Sequence, residues 1–298
     1  MDKALVNRIL SQHTIVPRIG IDFGLDEKIP RYWFEGHPFK TRFSEAVSLL
    51  LPEAEKFFIR SVRDCMGMVK DAKIKREIRN FIRQEGEHSK LHQKFNDRLK
   101  RQGIDVEKFQ GIQRDCIKFT HRHFSRTFRL ALTTAAEHLA ATMAHTHFNP
   151  ELMAKADPRI RALYFFHAVE EIEHKSVAFD VLQHSTKGSY WLRCFAMLIM
   201  SLAFPLLAIM GTRHMLKVDG FSFPKRLSLW VRGLYWLYRP GGVYMTAVMW
   251  KHYFSFYRPR FHPWNKGDME LYRHWIQTYD QTGDPIVTGT ACIEEQQA

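Results

Sequence analysis

Cysteine is sparse and scattered. The four in 298 residues, Cys65, Cys116, Cys194 and Cys292, include no C-x-x-C pair, so neither a disulfide framework nor a zinc ribbon organises the chain. No alternation of apolar and polar residues matches the helical patterns in length, which excludes a β core. A flavin or nucleotide fingerprint is also missing. The first twenty residues lack the basic start, apolar stretch and small-residue cleavage site of a secretory signal. The expected setting is therefore a reducing cytoplasm, at or near the inner face of the cell membrane. Acids are outnumbered, with 44 Lys+Arg against 31 Asp+Glu and a formal net charge of +13. That surplus favours phosphates, whether in a lipid headgroup layer, a nucleic acid or an acidic partner.

Helical periodicity is what the chain has instead. Residues 1–40 carry Pro17, Gly20, Gly24, Pro30, Gly36 and Pro38 among aromatic and basic residues, and read as an extended surface arm without chemistry. Thr41 to about Met68 predicts a helix that Pro52 should bend or restart. Asp71 to about Arg101 predicts a second, stopped by Gly103. After a linker to about Thr120, helices are predicted over Phe124–His147 and Pro158–Ser185, the last ending near Gly188. Two hairpins joined by a longer connection give an all-α, ferritin-like four-helix bundle over residues 41–188, with additional C-terminal helices. Residues 189–281 form a hydrophobic and aromatic extension, and 282–298 a loose polar tail. Within the extension, Cys194–Gly211 has Ser201 as its only polar side chain and approaches the lower length limit for a membrane span. Residues 226–260 then mix Trp and Tyr with Arg and Lys, as interfacial segments do.

A two-metal carboxylate site in such a bundle takes one glutamate from each of two helices and a Glu-x-x-His pair from each of the others. Here the second helix has Glu85-Gly-Glu-His88 and the fourth Glu171-Ile-Glu-His174. Each places a carboxylate and an imidazole one turn apart on one face. Glu55 and Glu137 supply the lone glutamates. A ligand should share its stripe with apolar residues three, four and seven positions away. Glu55 does, beside Phe58, Ile59 and Val62, whereas Glu53 reads as an early-helix acid on a solvated face. Glu85 does, beside Ile78, Phe81 and Ile82, whereas Glu87 reads as a surface residue. Around Glu137 the small residues Thr133, Ala140, Ala141 and Ala144 admit two readings, room beside a metal or tight helix packing. Glu171 is preferred over its neighbours Glu170 and Glu173 because it alone stands three before His174, with Glu170 the rival. His167, on the same face, is a candidate third imidazole. His92 reads as a supporting or surface histidine, and His138, His145 and His147 as structural. Mixed oxygen and imidazole donors with open positions suit iron or manganese.

These segments resemble a known family. Leu50-Leu-Pro-Glu-Ala-Glu55, Gln84-Glu-Gly-Glu-His88-Ser, Ala135-Ala-Glu137-His138, His167-Ala-Val-Glu-Glu171-Ile-Glu-His174-Lys and the late Phe261-His-Pro-Trp264 look like the bacterial predicted metal-dependent hydrolases, over nearly the whole chain. The His167-x-x-x-Glu171-x-x-His174 spacing is also similar to that of di-iron arylamine N-oxygenases. Position by position, the resemblance implies Glu55, Glu85, His88, Glu137, His167, Glu171 and His174 as ligands to two metal ions. The function expected from the residues is a di-iron oxidoreductase that uses dioxygen to hydroxylate, desaturate or N-oxygenate an organic, lipid-like substrate. Its electrons would come from a partner protein. The alternative implied by the family is a two-metal hydrolase, and a third is ferritin-like iron handling. A nucleic-acid partner is not expected, since it leaves seven inward-facing ligands without a purpose.

Overall fold

The computed structural model describes residues 15–26, 28–147, 150–186, 190–240, 242–244, 247–265 and 270–297. Among these there is no strand, only an isolated bridge between Phe34 and Ala156. Helix α1 spans Pro38–Cys65, starting ahead of Thr41 because Pro38 presets the first-turn φ and His37 Nδ1 accepts the Lys40 N–H at 3.4 Å. It continues through Pro52, where a bend or a fresh segment was expected, as one uninterrupted helix. Proline there removes the N–H that would bond the Ser48 carbonyl. Asn96 Nδ2 donates to that carbonyl instead at 3.2 Å, and Ser89 Oγ donates to the carbonyl of Pro52 at 3.1 Å. Both side chains come from α2, Ala72–Arg101, which starts at Asp71 accepting the Lys73 and Ile74 N–H groups and is followed by Gly103 at φ +85°.

The expected linker contains a further helix, α3, Val106–His123. Its buried stripe is Val106, Phe109, Gln110 and Gln113, and with amides at half its positions the apolar period is too thin to register. Next come α4, Arg126–His147, and the single turn α5, Pro150–Met153. The predicted helix Pro158–Ser185 is divided at Lys175-Ser176 into α6, Pro158–His174, and α7, Val177–Thr186. Gly188, its expected end, lies outside the described residues. Helices α1, α2, α4 and α6–α7 pack together as the bundle, with Val62, Ile78, Phe81, Leu130, Ala135 and Val181 in one buried cluster. The fold is ferritin-like.

Three further helices cover one side of it: α8, Tyr190–Val218, against α1 and α4; α9, Phe223–Tyr238, against α1; and α10, Ala247–Ser255, against α4. The approach of α8 and α9 to α1 depends on glycine. A Cβ on Gly211 would stand 3.0 Å from that of Ala46, and one on Gly233 would run into the Phe39 ring. Among the described helices, α8 is long and apolar enough to cross a membrane by length and composition. Its inner residues Ala196, Met197, Ala208 and Leu216 are buried, while Leu198, Leu202 and Leu206 face outward. Arg42, fully buried in α1, binds Asp219 through Nε at 2.8 Å and Nη2 at 2.6 Å and Glu45 through Nη1 at 2.6 Å, fastening the end of α8 to the start of the bundle.

Both chain ends depart from expectation. From residue 15 the supposed surface arm buries Phe23, Leu25, Trp33 and Phe34 among α6 residues, and Trp33 Nε1 donates to Glu45 at 3.1 Å. Residues 1–14 lie outside the described residues. The supposed loose tail is helical: α11, Glu270–Thr282, is followed by α12, Pro285–Gln297, which buries Thr288, Cys292 and Ile293 and packs on α6. Gly289 brings it close, since a Cβ there would lie 3.4 Å from the Ala162 backbone. With Thr288 and Gly289 between its few buried apolar residues, the helix leaves only a weak apolar signature in the sequence.

Candidate metal centre

The bundle aims four carboxylates and four imidazoles at one interior point. Helix α1 supplies Glu55; α2 supplies Glu85, His88 and His92; α4 supplies Glu137; α6 supplies His167, Glu171 and His174. Potential donor atoms fall into overlapping sets within 4.8 Å: Glu55, Glu85 and His88; Glu85, Glu171 and His174; His88, His167 and Glu171; Glu55, His92 and His167. Glu137 Oε2 stands 3.6 Å from His174 Nε2. All seven residues singled out from the sequence are thus brought together. Glu55, Glu85, His88, His167 and Glu171 each belong to two sets, so the sets join into one continuous cluster.

Burial makes this a chemical problem with few solutions. Glu85 and His174 are 0% exposed and Glu55 and Glu137 1%. Both oxygens of Glu55, Glu85 and Glu137, Oε2 of Glu171, Nδ1 of His88 and both nitrogens of His174 have no hydrogen-bond partner among the described residues. Charged carboxylates stripped of water and partners are prohibitively costly unless protons or cations neutralise them. Burial, then the neighbouring charges of Glu171 and Glu137, push Glu55 well above the usual carboxylate range. Glu85 follows for the same reasons, and Glu137 rises to about 8. Glu171 goes the other way: burial would raise it, but His174 and His167 beside it hold it well below the usual range. His174 rises to about 9, since Glu171 and Glu137 outweigh its burial. His88 is pushed well down by burial and by His167. Such a site without metal holds protons where a metal would sit, and the donor set fits two cations.

The rivalry between adjacent glutamates resolves geometrically. Glu171 Oε1 lies 2.9 Å from His167 Nε2, 3.3 Å from His174 Nε2 and 3.7 Å from His88 Nδ1. Glu170 sits behind His88, accepting from its Nε2 at 2.9 Å and from Arg18 Nη1 at 3.2 Å. An ionised Glu170, paired with Arg18, would accept a hydrogen bond from the Nε2 proton and leave Nδ1 of His88 facing the cluster, the usual arrangement behind a metal-binding imidazole. Glu173 is fully engaged elsewhere, with Arg18 Nη2 at 2.8 Å, Gln84 Nε2 at 2.7 Å and the Tyr272 hydroxyl at 2.9 Å. The N-terminal segment, expected to carry no chemistry, therefore contributes Arg18 to the support of the site. Nothing in its sequence neighbourhood announces this, because its partners are some 150 residues away.

His167 is half-buried, stacked on His88 with ring centroids 4.2 Å apart, and its Nδ1 lies 2.7 Å from His92 Nε2. His92 is no surface histidine: it is buried, its Nδ1 is 2.8 Å from Ser48 Oγ, and it joins a possible donor set with Glu55. The signal was its position, seven residues after Glu85 and four after His88 on the same stripe. Glu53 points away from the cluster as expected, but it is covered by Arg114 of α3 and Lys56 rather than solvated. Glu87 pairs with Lys90 on the surface side of α2. His138 is structural, bonding the His252 carbonyl at 3.0 Å, and burial pulls it down to about 3. The side chains of His145 and His147 lie outside the described residues.

A cavity of about 140 Å³ opens beside the cluster. His92, His167 and Glu171 form its polar end, and Leu50, Ala54, Phe58, Ala136, Ala140 and Phe204 belong to its apolar wall. The small residues of α4 leave room at this point.

Fold and site define a ferritin-like helical protein whose buried His/Glu cluster is capable of forming a two-metal site. More narrowly, the chain belongs to the family described as predicted metal-dependent hydrolase, whose profile matches residues 18–267. No curated protein and no solved structure matches it.

Proposed function

We propose that this protein is a two-metal enzyme that transforms an apolar, lipid-like substrate, and that the transformation is an oxidation by dioxygen. The observation that carries this is the cavity, apolar along its wall and ended by His92, His167 and Glu171. A substrate held by such a wall presents C–H bonds to the metal side, and the wall offers few donors to polarise a carbonyl or protonate a leaving group. A pair of iron(II) ions, when bound, would supply the reducing equivalents that activate oxygen. Glu55, Glu85, His88, Glu137, His167, Glu171 and His174 would hold them. Glu170 and Arg18 keep His88 oriented, and the apolar wall positions substrate and excludes water. Manganese is accommodated by the same donors. Further electrons would come from a partner protein.

Hydrolysis is the reading that the family's description favours, and the comparison backs it over oxidation. There the two cations would lower the pKa of a water. Anaerobic iron(II) reconstitution followed by oxygen, monitored by absorbance and Mössbauer spectroscopy, separates the two. Oxidation requires a spectral change on oxygen exposure; a silent site whose activity persists without oxygen or reductant makes the protein a hydrolase.

Membrane contact belongs to the same proposal. Exposed large apolar residues concentrate on three consecutive helices, including Trp191, Phe195 and Leu202 on α8, Phe223 and Val231 on α9 and Phe254 on α10. Arg213, Lys225, Arg232 and Lys251 flank them, a composition suited to an anionic bilayer surface. Phe204 of α8 lines both the cavity beside the cluster and a second apolar cavity of about 250 Å³ that also includes Trp230, Leu234 and Trp250, which supports a route for a lipid chain.

A further inference from the structure

The segment Phe261-His262-Pro263-Trp264 has no part in the metal cluster. Its first three residues line a separate cavity of about 250 Å³, on the side of α4 and α6 where the sequence neighbours of Glu137 and His174 emerge. Lys175 stands in its wall, 6% exposed, with Nζ 4.1 Å from the centroid of the Trp264 ring. Burial pulls the Lys175 pKa down to about 8, and the ring face favours the ammonium form against that burial. Arg258 and Arg260 are exposed and also line the cavity, together with His252, while Asp and Glu are absent from its lining among the described residues.

The surrounding structure holds this arrangement in place. His262 accepts the Trp264 N–H through Nδ1 at 3.2 Å, so its Nε2 carries the proton and donates to Asp180 at 3.0 Å. Its ring is thereby a fixed wall. Arg193 lies within 5.5 Å of the ring centroids of Phe179, Tyr190, Phe256 and Phe261 and donates to the Arg258 carbonyl at 2.9 Å, anchoring the backbone that carries the outer arginines. Three cationic side chains converge on one concave space, two of them with the forked donors that match tetrahedral oxyanions.

We infer that this cavity is an oxyanion site, separate from the metal centre, that takes a phosphate group. Two sources share that chemistry, free phosphate and the headgroup of an anionic lipid. Thr142 lines both this cavity and the apolar cavity under α8 and α9, which places a headgroup and a chain in neighbouring compartments.

The test uses the full chain, metal-free and metal-loaded, in three forms: wild type, Arg258→Ala/Arg260→Ala, and Arg79→Ala/Arg83→Ala, two exposed positions of α2, as a control that removes equal charge elsewhere. Inorganic phosphate is titrated calorimetrically against chloride at matched ionic strength. Flotation is measured with phosphatidylcholine vesicles with and without phosphatidic acid. Phosphate binding in the metal-free chain that weakens about tenfold or more in the cavity variant, and stays unchanged in the control, establishes the site for a free oxyanion. Flotation that needs phosphatidic acid and is lost in the cavity variant alone establishes it for a headgroup. Lys175→Met, which keeps the length of the stem, should repeat whichever loss is seen. Equal behaviour of cavity and control variants, binding that requires the metal, or indifference to both probes overturns the inference.

Discussion

The glutamates at 170 and 171 have different work although they are adjacent and both buried. Glu171→Gln removes a carboxylate that lies among His88, His167 and His174 and should lower bound metal from two ions per chain to one or none, read by elemental analysis of reconstituted protein. Glu170→Gln leaves the cluster's donors in place and releases only His88 from behind. It should keep the stoichiometry and weaken affinity about 10–100-fold. Loss of stoichiometry in the second variant instead of the first would reverse their roles. Protonation gives an independent check. Glu55, Glu85 and Glu137 have folded-state values raised above their unfolded ones, so the metal-free fold binds extra protons and loses stability as pH rises from the ordinary carboxylate range through about 8. Glu171 is depressed and opposes this, contributing stability that is lost in acid, and the lowered imidazoles of His88 and His138 oppose it too, while Glu170 and His174 are raised and act with the three glutamates. The melting temperature of metal-free protein should therefore fall between pH 5 and about 8, by about 2–4 °C per kcal/mol lost, and loaded protein should not follow. Metal uptake in weakly buffered solution should release protons. The Glu-x-x-His pairs were legible because two residues one turn apart must share a face. His92 and the choice between Glu170 and Glu171 were less so, because they depend on Ser48 and Arg18, which only the tertiary fold brings near.

Helix α1 owes its continuity to a neighbour. Pro52 leaves the Ser48 carbonyl without its helical donor and Asn96 of α2 replaces it. Asn96→Ala should cost about 1–3 kcal/mol in denaturant unfolding, and less in a Pro52→Ala background where the helix bonds itself. Equal costs in both backgrounds would refute the pairing. The fastening of α8 is a buried ion cluster, so Asp219→Ala leaves Arg42 without its forked partner at 0% exposure. A loss of about 3–5 kcal/mol is expected, as for other broken buried pairs, again from denaturant unfolding. Helix positions were readable wherever an apolar stripe met the bundle. Helices α3 and α12 were not, since glutamine in one and threonine and glycine in the other interrupt their few buried apolar residues, and the fit of these depends on the partner surface.

At the scale of the molecule, the bundle is wrapped: α8, α9 and α10 on one side, the N-terminal segment and α12 against α6 on another. The outward leucines of α8 are the most economical test of membrane contact. Leu202→Glu/Leu206→Glu, both exposed, should leave the melting temperature within about 1–2 °C, as surface substitutions do, and abolish flotation with anionic vesicles. Undiminished flotation would remove α8 from the contact. The bundle itself could be read from period and spacing, and its wrapping could not, because a segment's burial depends on what covers it.

Arg18 and Tyr272 meet on Glu173, and Arg18 also braces the glutamate behind His88. The support of the metal centre thus draws on residues near the beginning and near the end of the chain, and during synthesis it is completed only after residue 272 has left the ribosome. The residues of the cluster itself all precede α11, so a chain that stops before it has every donor but not the full clamp on Glu173. Secure metal capture should therefore wait on the synthesis of α11, and chains truncated before it should emerge as leaky binders.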